Sequence, residues 1–259
     1  MAASSEPGRS TADRLFALLS VFERGPATMT LTELSQAAGI PIATTFRLTR
    51  ELLAAGALER NDDGTYQIGM RLWELGSRAP RQRTLRHVAR PVMENLHEST
   101  STTVQLVVLD GHRAVCVEKV SGTRSAANVT EVAGKLPLHA TGVGKIILAF
   151  TPDEQTLIAG RPLRRFTPMT VVDHAALERE LLRMRHDYVG YCREEMTIGT
   201  ASVAAPIFDV NGDFVAALGV LTASPAALPR LAPAVRSAAL TISQRLGHRP
   251  VDWPIASLA

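Results

Sequence analysis

The chain has 259 residues, enough for two domains that each bury a core of their own. Hydrophobic residues make up 46% of the chain and charged residues 20%, which is ordinary for a globular protein. The sequence has no apolar run of about 18 residues, so we expect no membrane span. The first ten residues lack the apolar segment of a signal peptide and predict a disordered tail in a cytoplasmic protein.

The net charge does not decide whether the protein binds nucleic acid, and the cysteines and histidines do not indicate a metal site. The net charge of +3 permits nucleic-acid binding, but residues 1–80 contain 8 Arg and 9 Asp or Glu, so any basic surface must be local. Cys116 and Cys192 fit no metal motif, and the seven histidines form no pair at metal-ligand spacing. We therefore expect free thiols, no metal and no cofactor.

Three helices are predicted near the N-terminus. Ser10–Phe22 carries apolar residues at helical spacing. Thr30 and Glu33 have the spacing of a capping box, and this second helix stops at Gly39. A turn through Ile40 and Pro41 leads to a third helix, Ala43–Ala54. Two helices joined by so tight a turn are typical of a helix-turn-helix, whose second helix enters the DNA major groove.

A short hairpin follows directly and turns this unit into a winged helix. Leu58–Arg60 and residues 65–68 read as strands around the turn at 61–64. Arg47 can contact phosphate or a guanine edge, and the alternative is an ordinary helix-surface arginine. The predicted DNA-contacting residues are Thr30, Ala43, Thr44, Phe46, Arg47, Arg50, Arg60 and Tyr66.

A basic helical stretch at 78–98 follows, with Pro91 expected to kink it or start a new helix. We interpret it as a linker helix joined to a second domain, although a solvated charged face explains its arginines equally well. Its apolar stripe is a candidate dimer seam. That stripe consists of Leu85, Val88, Val92 and Leu96.

The remainder alternates strands and helices. Asp110-Gly111 and Asn211-Gly212 each lie between two runs of strand character, which predicts two hairpins. Helices are expected at 144–150, from Pro152, at 175–185 and at 229–246. This order predicts an α+β domain in which helices flank an antiparallel sheet.

Several motifs resemble those of IclR-type transcriptional regulators over roughly residues 11–247. They are IPIATTFRL at 40–48, GTYQIG at 64–69, LPLHATGVGK at 136–145, Glu194-Glu195, Gly199 and AAPIFD at 204–209. The resemblance implies an N-terminal winged helix-turn-helix and a C-terminal GAF-like effector-binding domain. It also implies dimers, often paired as tetramers, that respond to a small organic acid. The implied organisation is a tail (1–10), the DNA-binding domain (11–76), a linker helix (77–98), the effector domain (99–248) and a tail (249–259).

The segment Gly142-Val143-Gly144-Lys145 suggests a phosphate loop, but His139 and Ile146 stand where a Walker motif needs Gly and Ser or Thr. We expect instead a helix N-terminus whose free N–H groups at Gly142 and Val143 bind a carboxylate. The alternative is a turn that needs glycine only for its backbone geometry. The predicted effector-binding residues are Ser125, Asn128, Leu136, Gly142, Val143, Cys192, Thr200, Ser202, Gly219 and Leu221.

The family pattern often has Cys at position 202 and Ser at positions 219 and 221. Here Gly219 and Leu221 add no hydroxyl groups, which favours an acid larger or less polar than glyoxylate. We expect a homodimeric or homotetrameric regulator that binds double-stranded operator DNA, and we favour a repressor over an activator.

Two alternatives stay open. One is a small-molecule hydrolase with the helix-turn-helix as an assembly module. Ser202 lacks a nucleophile elbow and Glu194 and Glu195 point apart, so we expect no enzyme. The other is a structural DNA-binding protein without a ligand.

Overall fold

A computed structural model describes residues 10–23, 25–76, 80–122, 132, 134–151, 158, 160, 162–223 and 225–249. The chain divides into two compact units, Met1–Arg83 and Thr84–Ala259. Most of both predicted tails, the helix expected from Pro152, and two predicted effector residues, Ser125 and Asn128, lie outside the described residues.

The first unit contains helices and a two-stranded sheet. They are α1 (Thr11–Ser20), a 3-10 turn (Val21–Glu23), α2 (Leu31–Ala38), α3 (Ile42–Ala54), β1 (Leu58–Arg60), β2 (Tyr66–Ile68) and α4 (Met70–Gly76). The predicted capping box is present, because Thr30 N–H donates to the Glu33 carboxylate at 2.7 Å and Glu33 N–H donates to Thr30 Oγ1 at 3.3 Å. Gly39 ends α2 with φ +64°, a conformation that suits glycine.

The core of this unit joins all three predicted helices to the hairpin. Leu18, Leu34 and Leu48 come from α1, α2 and α3, and they pack with Leu58 of β1. β1 and β2 are antiparallel, with Arg60 opposite Tyr66. The winged helix-turn-helix expected from the sequence is therefore confirmed.

The second unit is built on one sheet. Its elements are α5 (Pro80–Thr100, which begins in the first unit), β3 (Thr103–Asp110), β4 (Arg113–Val120), β5 (Lys135–Leu136), α6 (Gly142–Phe150), α7 (His174–Asp187), β6 (Gly190–Arg193), β7 (Ala201–Phe208), β8 (Phe214–Thr222), a 3-10 turn (Pro225–Ala227) and α8 (Leu228–Arg245). The strand order is β5-β4-β3-β8-β7-β6, and every neighbouring pair is antiparallel. The predicted α+β class and both hairpins are confirmed, whereas β5 and β6 were not predicted.

Both faces of this sheet are covered by apolar side chains. On one face Leu106 and Leu218 pack with residues of α5 and α8. On the other face Val107 and Ala217 pack with Ile147 of α6 and Leu177 of α7. Because successive strand residues point to opposite faces, each strand carries one set of side chains for each helical layer.

The apolar stripe of α5 is not a dimer seam, which corrects the sequence-based interpretation. Leu85, Val92 and Leu96 are buried within this chain, in the core that contains β3, β7, β8 and α8, and Val88 packs against the same core. The pattern showed that one face of the helix is apolar, but the sheet of the same chain covers it. α5 also runs continuously through Pro91, which is exposed on the helix surface.

Candidate DNA and effector sites

The third helix has one buried and one exposed face. Thr45, Leu48, Thr49 and Leu52 of α3 are buried, so the helix is anchored by this side. Four of the eight residues expected to contact DNA lie on the other side. These are Ala43, Phe46, Arg47 and Arg50, all exposed, with Thr44 half-buried at the edge. Ile42 and Phe46 are large apolar side chains, and Phe46 is 50% exposed.

The two arginines of this surface differ in their surroundings. Arg47 Nη1 donates to Glu51 Oε1 at 2.6 Å, an i, i+4 ion pair on the exposed side of the helix. Arg50 makes no ion pair within the described part of the chain. Arg50 is therefore available to an anionic partner as it stands, whereas Arg47 must exchange Glu51 for that partner.

Of the DNA contacts predicted in the wing and at the start of α2, Arg60 and Thr30 are exposed and Tyr66 is buried. Arg60 is exposed and its guanidinium lies 5.8 Å from the centre of the Tyr66 ring. Tyr66 is only 5% exposed and pairs with Met29 inside the core, so the structure does not support it as a DNA contact. Its burial anchors the wing. Thr30 is exposed, but its hydroxyl hydrogen-bonds Glu33 in the cap.

The N-terminus of α6 lies against β7. Thr141 caps the helix by accepting from Gly144 N–H at 3.1 Å, and Gly142 N–H donates to Ser202 Oγ at 3.3 Å. The expectation of a free N–H at Gly142 is therefore wrong, because Ser202, another predicted effector residue, accepts the hydrogen bond from this N–H. The N–H of Val143, in the first turn, donates to no described residue.

Strand pairing places three predicted effector residues, Cys192, Ser202 and Leu221, in one row across the sheet. Ser202 lies opposite Leu221 on one side and Cys192 on the other. Gly219 lies two residues before Leu221 and opposite Ala204. Cross-strand partners share a face of the sheet, and Ala204 packs under α6, so this row faces the helix.

Two predicted effector residues stand apart from this row. Leu136 pairs with Ala114 near the opposite end of β4 and belongs to the apolar core. The hydroxyl of Thr200 donates to the carbonyl of Thr197 at 2.7 Å, inside its own turn. These contacts give both residues a structural role in the chain as described.

Three glycines at this site have different reasons to be glycine. A Cβ at Gly144 would lie 2.4 Å from the carbonyl oxygen of Leu138, which cannot move away. A Cβ at Gly219 would lie 2.5 Å from Cγ1 of Val143, so the valine occupies the volume that a larger residue would need. A Cβ at Gly142 would meet Ser202 Oγ at 2.7 Å, and this hydroxyl can rotate.

Cys192 contributes a neutral thiol. Its Sγ donates to the carbonyl oxygen of Ala140 at 3.3 Å. Burial, together with the negative charge of Glu195, raises the pKa of the Cys192 thiol to about 12. The row therefore carries no negative charge from this position that would repel a carboxylate.

A buried ion-pair cluster lies one turn into α6 and was not predicted. Lys145 is 0% exposed, and its Nζ donates to Glu195 Oε1 at 2.5 Å and to Glu180 Oε2 at 2.7 Å. Burial acts to lower the pKa of Lys145, but the Glu195 charge and the hydrogen bonds to both carboxylates outweigh it, so the pKa is raised. The cluster ties α6 to α7 and to the segment after β6. Glu194 lies outside the cluster, in line with the expectation that the adjacent side chains of Glu194 and Glu195 point apart.

The described residues contain no group of three His, Cys, Asp or Glu side chains that could hold a metal ion. Within the same residues, no helix combines the length and apolar character needed to cross a membrane.

Comparison with known proteins identifies the class. Residues 78–244 match the family model for the C-terminal domain of the bacterial transcriptional regulator IclR, and residues 11–62 match the IclR helix-turn-helix domain. The chain therefore belongs to the IclR family of bacterial transcriptional regulators.

Individual relatives cover almost the whole chain. The HTH-type transcriptional regulator KipR of Bacillus subtilis (strain 168) is 31% identical over 92% of this chain and 97% of its own length. The HTH-type transcriptional repressor AllR of Salmonella typhi is 30% identical over 95% of this chain and 93% of its own length. An IclR homologue from Microbacterium hydrocarbonoxydans, crystallised with 4-hydroxybenzoate, has a TM-score of 0.86 and 31% identity over 92% of this chain and 99% of that chain.

Proposed function

We propose that this regulator is a repressor whose binding to operator DNA is modulated by a small organic acid in the second unit. The observation that carries the effector role is the Val143 N–H, which donates to no described residue and follows the Gly142 N–H that donates to Ser202 Oγ. Footprinting of the DNA upstream of its own gene tests the whole proposal, with 4-hydroxybenzoate and benzoate as probes. We expect a protected palindrome whose protection changes with either acid. The absence of any protected site would contradict the proposal.

The exposed face of α3 is the proposed DNA-reading surface. Its arginines supply charge for phosphates or guanine, and Phe46 supplies an apolar contact for a thymine methyl group. Arg60 on the wing supplies a further phosphate contact.

Arg50→Ala should weaken binding to all DNA sequences alike and reduce the salt dependence of log K by about 1, because one phosphate contact is lost. Arg47→Ala should instead cost about 1–3 kcal/mol on the operator alone if Arg47 contacts a base. Mobility-shift titrations at several salt concentrations, on operator and random DNA, separate the two effects. Arg183→Ala, on α7 of the other unit, is the control. Undiminished affinity in both α3 variants would remove this face from the interface.

The proposed effector site has its carboxylate end at α6. A carboxylate there can accept from Val143 N–H and Ser202 Oγ, and from Gly142 N–H once the 3.3 Å contact with Ser202 opens. Val143, Gly219 and Leu221 give the site apolar walls. A homologue of similar fold was crystallised with 4-hydroxybenzoate, an acid with an apolar ring, which supports this class of ligand.

Gly142→Ala should abolish the response to the acid while leaving DNA binding intact, because the added methyl group enters the carboxylate end and displaces only the Ser202 hydroxyl. Ser202→Ala should weaken the binding of the acid by about 1 kcal/mol, the scale of one hydrogen bond. Calorimetry measures the affinities, and a mobility shift without acid checks that DNA binding is retained. Unchanged acid affinity in both variants would place the site elsewhere.

We also propose a dimer, because a two-fold operator requires two recognition helices. The candidate surface in the first unit joins β2 to α4, where large apolar side chains are exposed. Its members are Ile68, Met70, Trp73 and Leu75. We commit to a second copy of this chain as the occupant.

Sedimentation should show a dimer or tetramer at micromolar concentration. Trp73→Glu should shift the distribution toward smaller species, because it places a charge in the proposed apolar contact. Phe16→Glu is the matched control, since Phe16 of α1 is 70% exposed but lies outside the surface. A monomeric wild-type protein would contradict the dimer, and an unaffected Trp73→Glu variant would contradict this surface.

A further inference from the structure

Two polar side chains of β3 are buried, and neither hydrogen-bonds another described residue. Thr103 is 0% exposed and Gln105 is 3% exposed. Thr103 Oγ1 and Gln105 Oε1 are buried atoms with no hydrogen-bond partner among the residues that the structure describes. Nearly all buried polar atoms in native proteins are satisfied, so each such atom requires an explanation, and one explanation is that the atom binds a ligand.

Both side chains belong to the face of the sheet that carries the proposed effector site. Thr103 lies opposite Leu221, and Gln105 lies opposite Gly219. Val107, the next residue of this face, packs in the core under α6. The row that contains Ser202 and Leu221 is thus extended by Thr103, and the row that contains Gly219 is extended by Gln105.

We propose that Thr103 and Gln105 form a second polar end of the effector site, which binds a hydroxyl group of the acid. This inference rests on the proposed function, since it assumes a carboxylate at α6. Gln105 Oε1 is an acceptor and requires a donor, which a hydroxyl group provides. The Thr103 hydroxyl can donate to the oxygen of that ligand hydroxyl, so one ligand hydroxyl satisfies both atoms.

The spacing defines the shape of the ligand. Ser202 and Thr103 lie in one row with β8 between them, so two strand spacings, about 10 Å, separate their backbones. Leu221 occupies the middle of that row. The ligand is therefore an acid with its carboxylate at one end, an apolar body in the middle and a hydroxyl at the far end. A two-carbon acid is too short to reach both ends.

The test uses matched acids that differ only in this hydroxyl. The probes are 4-hydroxybenzoate with benzoate, and 3-(4-hydroxyphenyl)propionate with 3-phenylpropionate, titrated calorimetrically into the full chain. In the wild-type protein we expect the hydroxylated member of at least one pair to bind at least about tenfold more tightly, because buried polar groups reject a ligand that leaves them unpaired. Gln105→Leu and Thr103→Val should reduce this preference to below about threefold, while Thr103→Ser, which keeps the hydroxyl, should retain it.

A second readout needs no ligand. Thr103→Val and Gln105→Leu replace an unsatisfied buried polar atom by apolar groups, so both should raise the Tm of the ligand-free protein. A lower Tm in both variants would mean that these groups already make favourable contacts, and would overturn the inference. Acids that bind without a hydroxyl preference, or with one that the variants retain, overturn it while leaving the proposed function intact. If no acid binds, the acid effector fails and this inference fails with it.

Discussion

Lys145→Met should lower the free energy of unfolding by about 3–5 kcal/mol, the range measured when one partner of a buried ion pair is removed. The lysine is fully buried, and its ammonium group is the shared partner of Glu195 and Glu180. Without it, the nearly buried Glu195 carboxylate loses its counter-charge. Urea denaturation of the wild type and the variant measures the difference.

Two carboxylate variants provide the comparison for this experiment. Glu180→Gln should cost less than Glu195→Gln, because Glu180 is about four times more exposed, 32% against 8% for the side chain. Combining Lys145→Met with Glu195→Gln should recover part of the loss, because no unpaired buried charge remains. An unchanged stability of Lys145→Met alone would contradict this account of the cluster.

The pH dependence of this effect has a definite sign. The pKa of Lys145 is raised above its ordinary value of 10.5, so the lysine stabilises the folded protein fully below that value. The contribution is lost only as the pH rises through the raised pKa. The stability difference between wild type and Lys145→Met should therefore be constant between about pH 7 and 9.

Gly219→Ser should destabilise the protein by about 1–3 kcal/mol, the range for overpacking a core. The new Cβ would stand 2.5 Å from Cγ1 of Val143, so one of the two elements must move. Val143→Ala removes that methyl group, and the double variant should be more stable than the sum of the single losses predicts. Urea denaturation of all four proteins completes a double-mutant cycle.

Additive losses in that cycle would show that the two positions do not compete for the same volume. Val143→Ala with Gly219→Ala serves as a control without a hydroxyl group. The Val143→Ala/Gly219→Ser protein should also bind a smaller, more polar acid such as glyoxylate better than the wild type does, because a hydroxyl replaces an apolar wall. The sequence has Gly219 where the family pattern often has Ser, and the close approach of Val143 leaves no room there for a serine side chain.

Local sequence signals predicted most of the elements. The capping box of Thr30 and Glu33, the left-handed Gly39 and the two hairpin turns depend on residues within a few positions of each other, so their physics is contained in the sequence. β5 and β6 were missed because strands of two and four residues carry little pattern of their own and, unlike the short β1 and β2, they do not flank a hairpin turn. They form by pairing with longer neighbours.

The candidate sites depended more on tertiary contacts. The alternation in β3 placed Thr103 and Gln105 on a core-facing position of an otherwise apolar strand, which is a signal that sequence reasoning could have used. The sequence did not show that Tyr66 is buried, because an aromatic residue of the wing fits either the core or DNA.

By itself the sequence determined the two kinds of domain, the caps, the turns and the exposed face of α3, since each follows from local geometry and residue periodicity. Only the tertiary structure decided which surface covers each apolar face, which is why the stripe on α5 belongs to the core of the second unit and not to a dimer. It also decided that Ser202 meets Gly142, that Val143 fills the space beside Gly219, and that Lys145 pairs with carboxylates 35 and 50 residues away. Burial and charge pairing join residues that are distant in the chain, and no local pattern encodes such contacts.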